Sequence, residues 1–236
     1  MTLNAETPTD ARSFPQVASW RHLGIVVAII LAIAVQGAMG HSRARSSGSG
    51  SRIAVYVLLI VFESALIFLV WRGIKKTGTT LRDLIGGRWQ SPRDVIRDMG
   101  VALAVWGSII FVAIVWRIFR PDDRLPATVT ELLPRTSAEI ILWLLVAISA
   151  GVAEEIAFRG YLQRQFAALT GNQWIALVIQ ALLFGVSHGY QGVEATLRIT
   201  LLGLIFGIFA ITRRSLRPGI IAHTWTDMAS GIFRAG

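Results

Sequence analysis

Seven apolar runs separated by short polar stretches set the plan of this 236-residue chain. They cover residues 23–39, 53–71, 92–116, the stretch opening at 137, and then 174–187, 193–211 and 218–233. Most approach the roughly 20 residues that a helix needs to cross a bilayer core. The pattern predicts an all-α, polytopic transmembrane bundle of about seven spans, the last short enough to be re-entrant. Three stretches organise it: a cytoplasmic tail at 1–22, three spans with an interfacial helix at 23–136, and a further helical region at 137–236 within one membrane domain.

Local polar residues mark where several helices begin. Ser91-Pro92-Arg93-Asp94 supplies a cap, a proline at the first helical position and an acid in the first turn. Thr136-Ser137-Ala138-Glu139 is a capping box opening the fourth span. Thr80 and Asp83 begin a short helix that Gly86-Gly87 ends, read as lying on the membrane surface. The Ser/Gly/Arg stretch 41–52 reads as a flexible loop. The first run is long, with a long preceding tail, which favours an uncleaved anchor over a signal peptide.

Composition agrees with the pattern. The chain is 53% hydrophobic with mean hydropathy +0.58, and only 16% of residues are charged. A net charge of +9 invites a nucleic-acid reading. The basic residues, however, sit in loops between apolar runs, where membrane topology accounts for them, so no nucleic-acid partner is expected. The lipid bilayer is the expected surrounding. Fourteen Lys/Arg fall in or beside the tail and the loops after spans two, four and six, two of them, Arg159 and Arg164, counting weakly because they adjoin the fourth helix, against eight in the opposite set. This asymmetry places the N-terminus in the cytoplasm, with the expected location a bacterial inner membrane. Without cysteine, disulfides, thiolate metal sites and a cysteine nucleophile are excluded.

Ionisable residues are distributed unevenly among the spans. The first three carry only Glu63 away from their ends, whereas the last four carry Glu154, Glu155, Arg159, His188, Glu194, Arg198, His223 and Asp227. Each such group costs about 2.5–3.5 kcal/mol on insertion scales, which points to chemistry in the C-terminal half. Glu155 and Arg159 are four apart with the acid first, the favourable order for an ion pair. Glu154 points about 100° away, toward another partner. A turn at Thr170-Gly171-Asn172 places Glu155 and His188 at similar distances from it, about 24–26 Å along antiparallel helices. His223 and Asp227 share one face of the last span. Glu194 and Arg198 are again four apart and read as a self-neutralising pair. Gly203 and Gly207 read as a helix-packing pair. Glu63 faces the cavity or pairs with Arg198. No His-Glu-x-x-His zinc motif and no Gly-x-Ser-x-Gly elbow is present.

Glu154-Glu155-x-x-x-Arg159, Phe184-x-x-x-His188 and His223-x-x-x-Asp227, in this order, resemble the three motifs of the CPBP family. That family contains the type II CAAX prenyl endopeptidases and the Abi, bacteriocin-processing or immunity-associated, membrane proteins. The resemblance covers roughly residues 137–233. It implies an all-helical membrane fold and hydrolysis of a peptide bond in a membrane-associated protein or peptide. It further implies that Glu154 and His188 activate the water and that Glu155 and Arg159 hold the site together. His223 and residue 227 then face the oxyanion. Residue 227 is Asp here, where Asn is common in the prenyl proteases. Family members are described both as glutamate-dependent proteases and as metalloproteases. The expectation here is a site without a cofactor, with a divalent metal such as zinc as the alternative.

Two other classes compete with an endopeptidase. One is a non-catalytic membrane partner or immunity protein that keeps the motifs for structure. The other is a small proton-coupled transporter, which the lack of a paired internal repeat disfavours.

Overall fold

The computed structural model describes residues 14–40, 52–122 and 127–232. The tail before residue 14, most of the Ser/Gly/Arg stretch and Pro126 lie outside the described residues. Helices α1 (Trp20–Gly40), α2 (Arg52–Lys75), α3 (Leu81–Ile85), α4 (Pro92–Phe119) and the turn α5 (Ala127–Thr130) come first. A continuous rod follows, made of α6 (Ser137–Glu154), a π-helical segment (Glu155–Leu162) and α7 (Gln163–Thr170). Then come α8 (Gln173–Ser187), a 3₁₀ turn (Gly189–Gln191), α9 (Val193–Arg213) and α10 (Arg217–Ile232). Every apolar run is helical over its described residues, and no strand occurs among them.

Among the described residues, four helices are long and apolar enough to span a membrane: α2, α4, the rod and α9. α1 and α8 are shorter apolar helices. The chain is an integral membrane protein by this measure. Its exposed residues include Leu58, Phe111, Ile118 and Leu182, which suits a lipid-facing surface. The rod has 34 residues. At ~1.5 Å per residue it measures about 51 Å, longer than the ~30 Å hydrocarbon core, so one end projects beyond it.

All three predicted caps are formed. Ser91, Thr80 and Thr136 each accept from the amide three residues on, and Asp94, Asp83 and Glu139 return the bond. The hydroxyl and amide of Thr80 hold the Asp83 carboxyl below the usual carboxylate range. Gly171 takes φ 67°, a left-handed conformation that suits glycine, and Asn172 then caps α8. The predicted reversal therefore stands.

One end of the bundle gathers several polar tethers. α3 packs on the protein as well as beginning and ending where predicted: Leu84 is fully buried, and Arg164 donates to the carbonyls of Asp83 and Leu84. The Leu216 amide donates to the Ile85 carbonyl at 2.9 Å. The end of the tail is likewise built in rather than simply solvated. Val17 and Ala18 are buried, and their amides donate to Oε1 of Gln165, whose Nε2 returns a bond to the Ala18 carbonyl. Thr77 donates to the Val17 carbonyl. The tail and the loops after spans two, four and six thus meet at one end, the grouping on which the charge count relies.

A second anchor lies on α4. Asp98 is fully buried and accepts from Trp89 Nε1 at 2.8 Å, while Arg217 Nε stands 2.9 Å away and Arg213 Nη2 3.7 Å. Arg217 begins α10, so this pairing docks the helix that carries His223. Asp98→Leu leaves two partly buried guanidinium groups without their countercharge. The expected cost is about 3 kcal/mol, read as a lower unfolding temperature in detergent. An unchanged melting curve would mean that the cluster does not anchor α10.

Candidate active site

Phe184 organises the cluster. Its ring lies 4.2 Å from the Arg159 guanidinium, 5.0 Å from the His188 ring and 6.0 Å from the His223 ring. Phe206 closes the other side, stacked on His223 at 4.9 Å with its ring 5.1 Å from Arg159. A cation on aromatic faces retains attraction where water is excluded. That suits Arg159, which is 1% exposed and pairs with Glu155 through Nη1 and Oε1 at 3.0 Å.

The Glu155–Arg159 pair lies in the middle of the rod, within the π-helical segment, whose eight residues are all buried. π segments are frequent at functional sites. The rod meets α10 closely: a Cβ on Gly151 would lie 2.9 Å from the Thr224 amide, and one on Gly219 3.0 Å from Glu155 Oε2. These glycines let His223 reach the acids of the rod.

Both histidines are held through Nδ1. The Phe184 carbonyl, an acceptor only, lies 2.9 Å from His188 Nδ1, so Nδ1 carries the proton. His223 Nδ1 donates to Glu155 Oε1 at 3.1 Å. Each ring therefore turns Nε2 to the same carboxylate. His188 Nε2 is 3.8 Å from Glu154 Oε1, and His223 Nε2 is 3.5 Å from Glu154 Oε2. The partner that Glu154 lacks along its own helix comes from two others. Asp227 Oδ2 completes the group 3.7 Å from His223 Nε2, and its backbone carbonyl accepts from Trp143 Nε1 at 2.9 Å.

All six predicted residues, Glu154, Glu155, Arg159, His188, His223 and Asp227, thus meet in one place. Two further side chains join them. Glu63 of α2, buried, lies within electrostatic reach of Glu154, His223 and Asp227. Tyr190, stacked on His188 at 6.3 Å, lies within reach of Glu154, Asp227 and Glu63. Glu63 was visible as the lone acid of the early spans, whereas Tyr190 carried no periodic signal. Glu194 pairs with Arg120 at the end of α4, a partner in another helix that spacing along α9 does not suggest. Gly203 packs against Ala181 as expected, and its carbonyl accepts from Gln180 and Arg159.

The donor set also suits a divalent ion chemically. Two Nε2 lone pairs beside one carboxylate, each imidazole held by a hydrogen bond at its other nitrogen, are zinc-type donors, but among the described residues no group of three or more such side chains is placed to hold a metal ion.

These observations define a helical membrane protein with a Glu/Arg/His cluster buried between its helices. Residues 136–229, which include all six motif residues, match the family model described as type II CAAX prenyl endopeptidase Rce1-like. That segment is similar to the Rce1-like family, and the match supports a protease kind of enzyme acting on a membrane-associated substrate. No curated protein and no solved structure matches the chain.

Proposed function

We propose that this chain is an intramembrane endopeptidase in which Glu154 and His188 activate a water. The observation that carries the reading is the convergence of two Nε2 atoms on the Glu154 carboxylate, beside a buried ion pair that fixes one of the rings. A water within hydrogen-bond reach of Glu154 and His188 is polarised by both. Glu154 takes its proton as the oxygen bonds to the peptide carbonyl carbon. The developing oxyanion accepts from His223 Nε2, in the imidazolium form, and from a protonated Asp227. The C–N bond then breaks as the proton held by Glu154 passes to the leaving nitrogen.

Glu155 and Arg159 orient His223 without touching substrate. When bound, a zinc ion would be held by His188, His223 and Glu154 and would lower the pKa of its water. The metal-free reading predicts activity after exhaustive chelation, and Asp227→Asn retaining much of it because the amide still donates. Loss on chelation, reversed by one divalent ion, would establish a metalloprotease.

The activity is tested with purified chain in lipid nanodiscs and a prenylated CAAX peptide, with the unprenylated peptide in parallel. Cleavage seen by mass spectrometry supports the reading, and the pair of peptides reads out whether the lipid matters. Intact peptides after incubation with folded protein would contradict it. The charge asymmetry supports a cytoplasmic position for the loops after spans four and six. Reporters inserted after Thr170 and after Ser215 should both read as cytoplasmic, and an external signal at either would reverse the orientation.

A further inference from the structure

The second span carries a carboxyl group that the proposed mechanism leaves unused. Glu63 is 5% exposed, and its Oε2 is buried without a hydrogen-bond partner. It lies outside residues 136–229, on a helix packed against α6, and within electrostatic reach of Glu154, His223 and Asp227. An acid left unsatisfied in an apolar span is destabilising and is explained by what it meets in use.

A peptide bond in this site presents three polar features. The carbonyl carbon meets the water of Glu154 and His188, and the carbonyl oxygen meets His223 and Asp227. The N–H is left without an acceptor, because Glu154 and His188 are engaged with the water and His223 and Asp227 with the oxyanion. Glu63 supplies one from the facing helix.

We propose that Glu63 is a substrate-positioning residue that accepts a hydrogen bond from the N–H of the scissile peptide bond. This rests on the endopeptidase reading above. The bond orients the amide and draws electron density onto its nitrogen. When the C–N bond breaks, the nitrogen takes the proton removed from water, and the departing amine stays hydrogen-bonded to the Glu63 carboxyl oxygen. Glu63 neither gains nor loses a proton in this step. The first three spans thereby contribute to the chemistry as well as to the bilayer anchor.

The test compares Glu63→Leu, Glu63→Gln and Glu154→Ala on a prenylated CAAX peptide and on its ester analogue, in which oxygen replaces the scissile N–H. Glu63→Leu should lower kcat/KM for the amide at least tenfold and leave the ester within about twofold of wild type, a loss of ~1.4 kcal/mol or more. Glu63→Gln should stay within about fivefold on both, since its carbonyl oxygen still accepts. The unfolding temperature of Glu63→Leu should match or exceed wild type, because an unsatisfied acid has been removed. Equal losses on amide and ester, no loss on either, or a Glu63→Gln as impaired as Glu63→Leu would overturn the assignment. Glu154→Ala separates the two claims: if it cleaves either substrate at the wild-type rate, the water-activation reading itself fails.

Discussion

Glu154→Ala and His188→Ala should each reduce hydrolysis by about 10²–10⁴-fold while leaving the protein inserted and folded. Glu154 and His188 are only partly buried, and neither belongs to the fully buried Glu155–Arg159 pair. Removing either side chain takes away a group that acts on water without stranding a buried charge. The unfolding temperature should therefore move by no more than a few degrees. Wild-type activity in either variant, against a substrate that wild type cleaves, would show that the water-activating pair lies elsewhere.

The second large effect concerns Arg159. Arg159→Leu leaves the fully buried Glu155 carboxylate without its countercharge and strips Phe184 and Phe206 of the cation between them. Breaking a buried pair by removing one partner costs about 3–5 kcal/mol, so the variant should be markedly less stable and inactive. Lysine should rescue poorly, since a point charge does not reproduce the planar group that meets Glu155, the Gly203 carbonyl and two rings. The double variant Glu155→Gln/Arg159→Met removes both charges and should recover much of the stability in thermal unfolding. It should stay inactive, because His223 loses its carboxylate. If the double variant cleaved normally, Glu155 and Arg159 would be structural and nothing more.

Local chemistry accounts for what was legible in advance. Caps at Thr80, Ser91 and Thr136 rest on residues three apart, and the turn at Gly171 on a single backbone conformation. The depth match between Glu155 and His188 needed only a helical rise and one reversal. What escaped the sequence depends on partners distant along the chain. The π-helical segment changes the winding where α10 comes close, a condition set by Gly151 on the rod and Gly219 on α10, far apart along the chain. Gln165 holds Val17 and Ala18 across 147–148 residues, and Arg120 meets Glu194 across 74. Glu63 stood out as an ionisable residue in an apolar span, but its neighbours follow from how α2 packs on α6.

The proposed chemistry makes the attacking group a water held by Glu154, and an isotope experiment addresses that directly. Purified wild type and Glu154→Gln are incubated with the prenylated CAAX peptide in ¹⁸O-enriched water, and both products are weighed by mass spectrometry. Wild type should place one ¹⁸O in the new C-terminal carboxyl group for each bond cleaved, and Glu154→Gln should form no labelled product over the same time. Label appearing at the wild-type rate with Glu154→Gln would contradict the assignment of the water to Glu154.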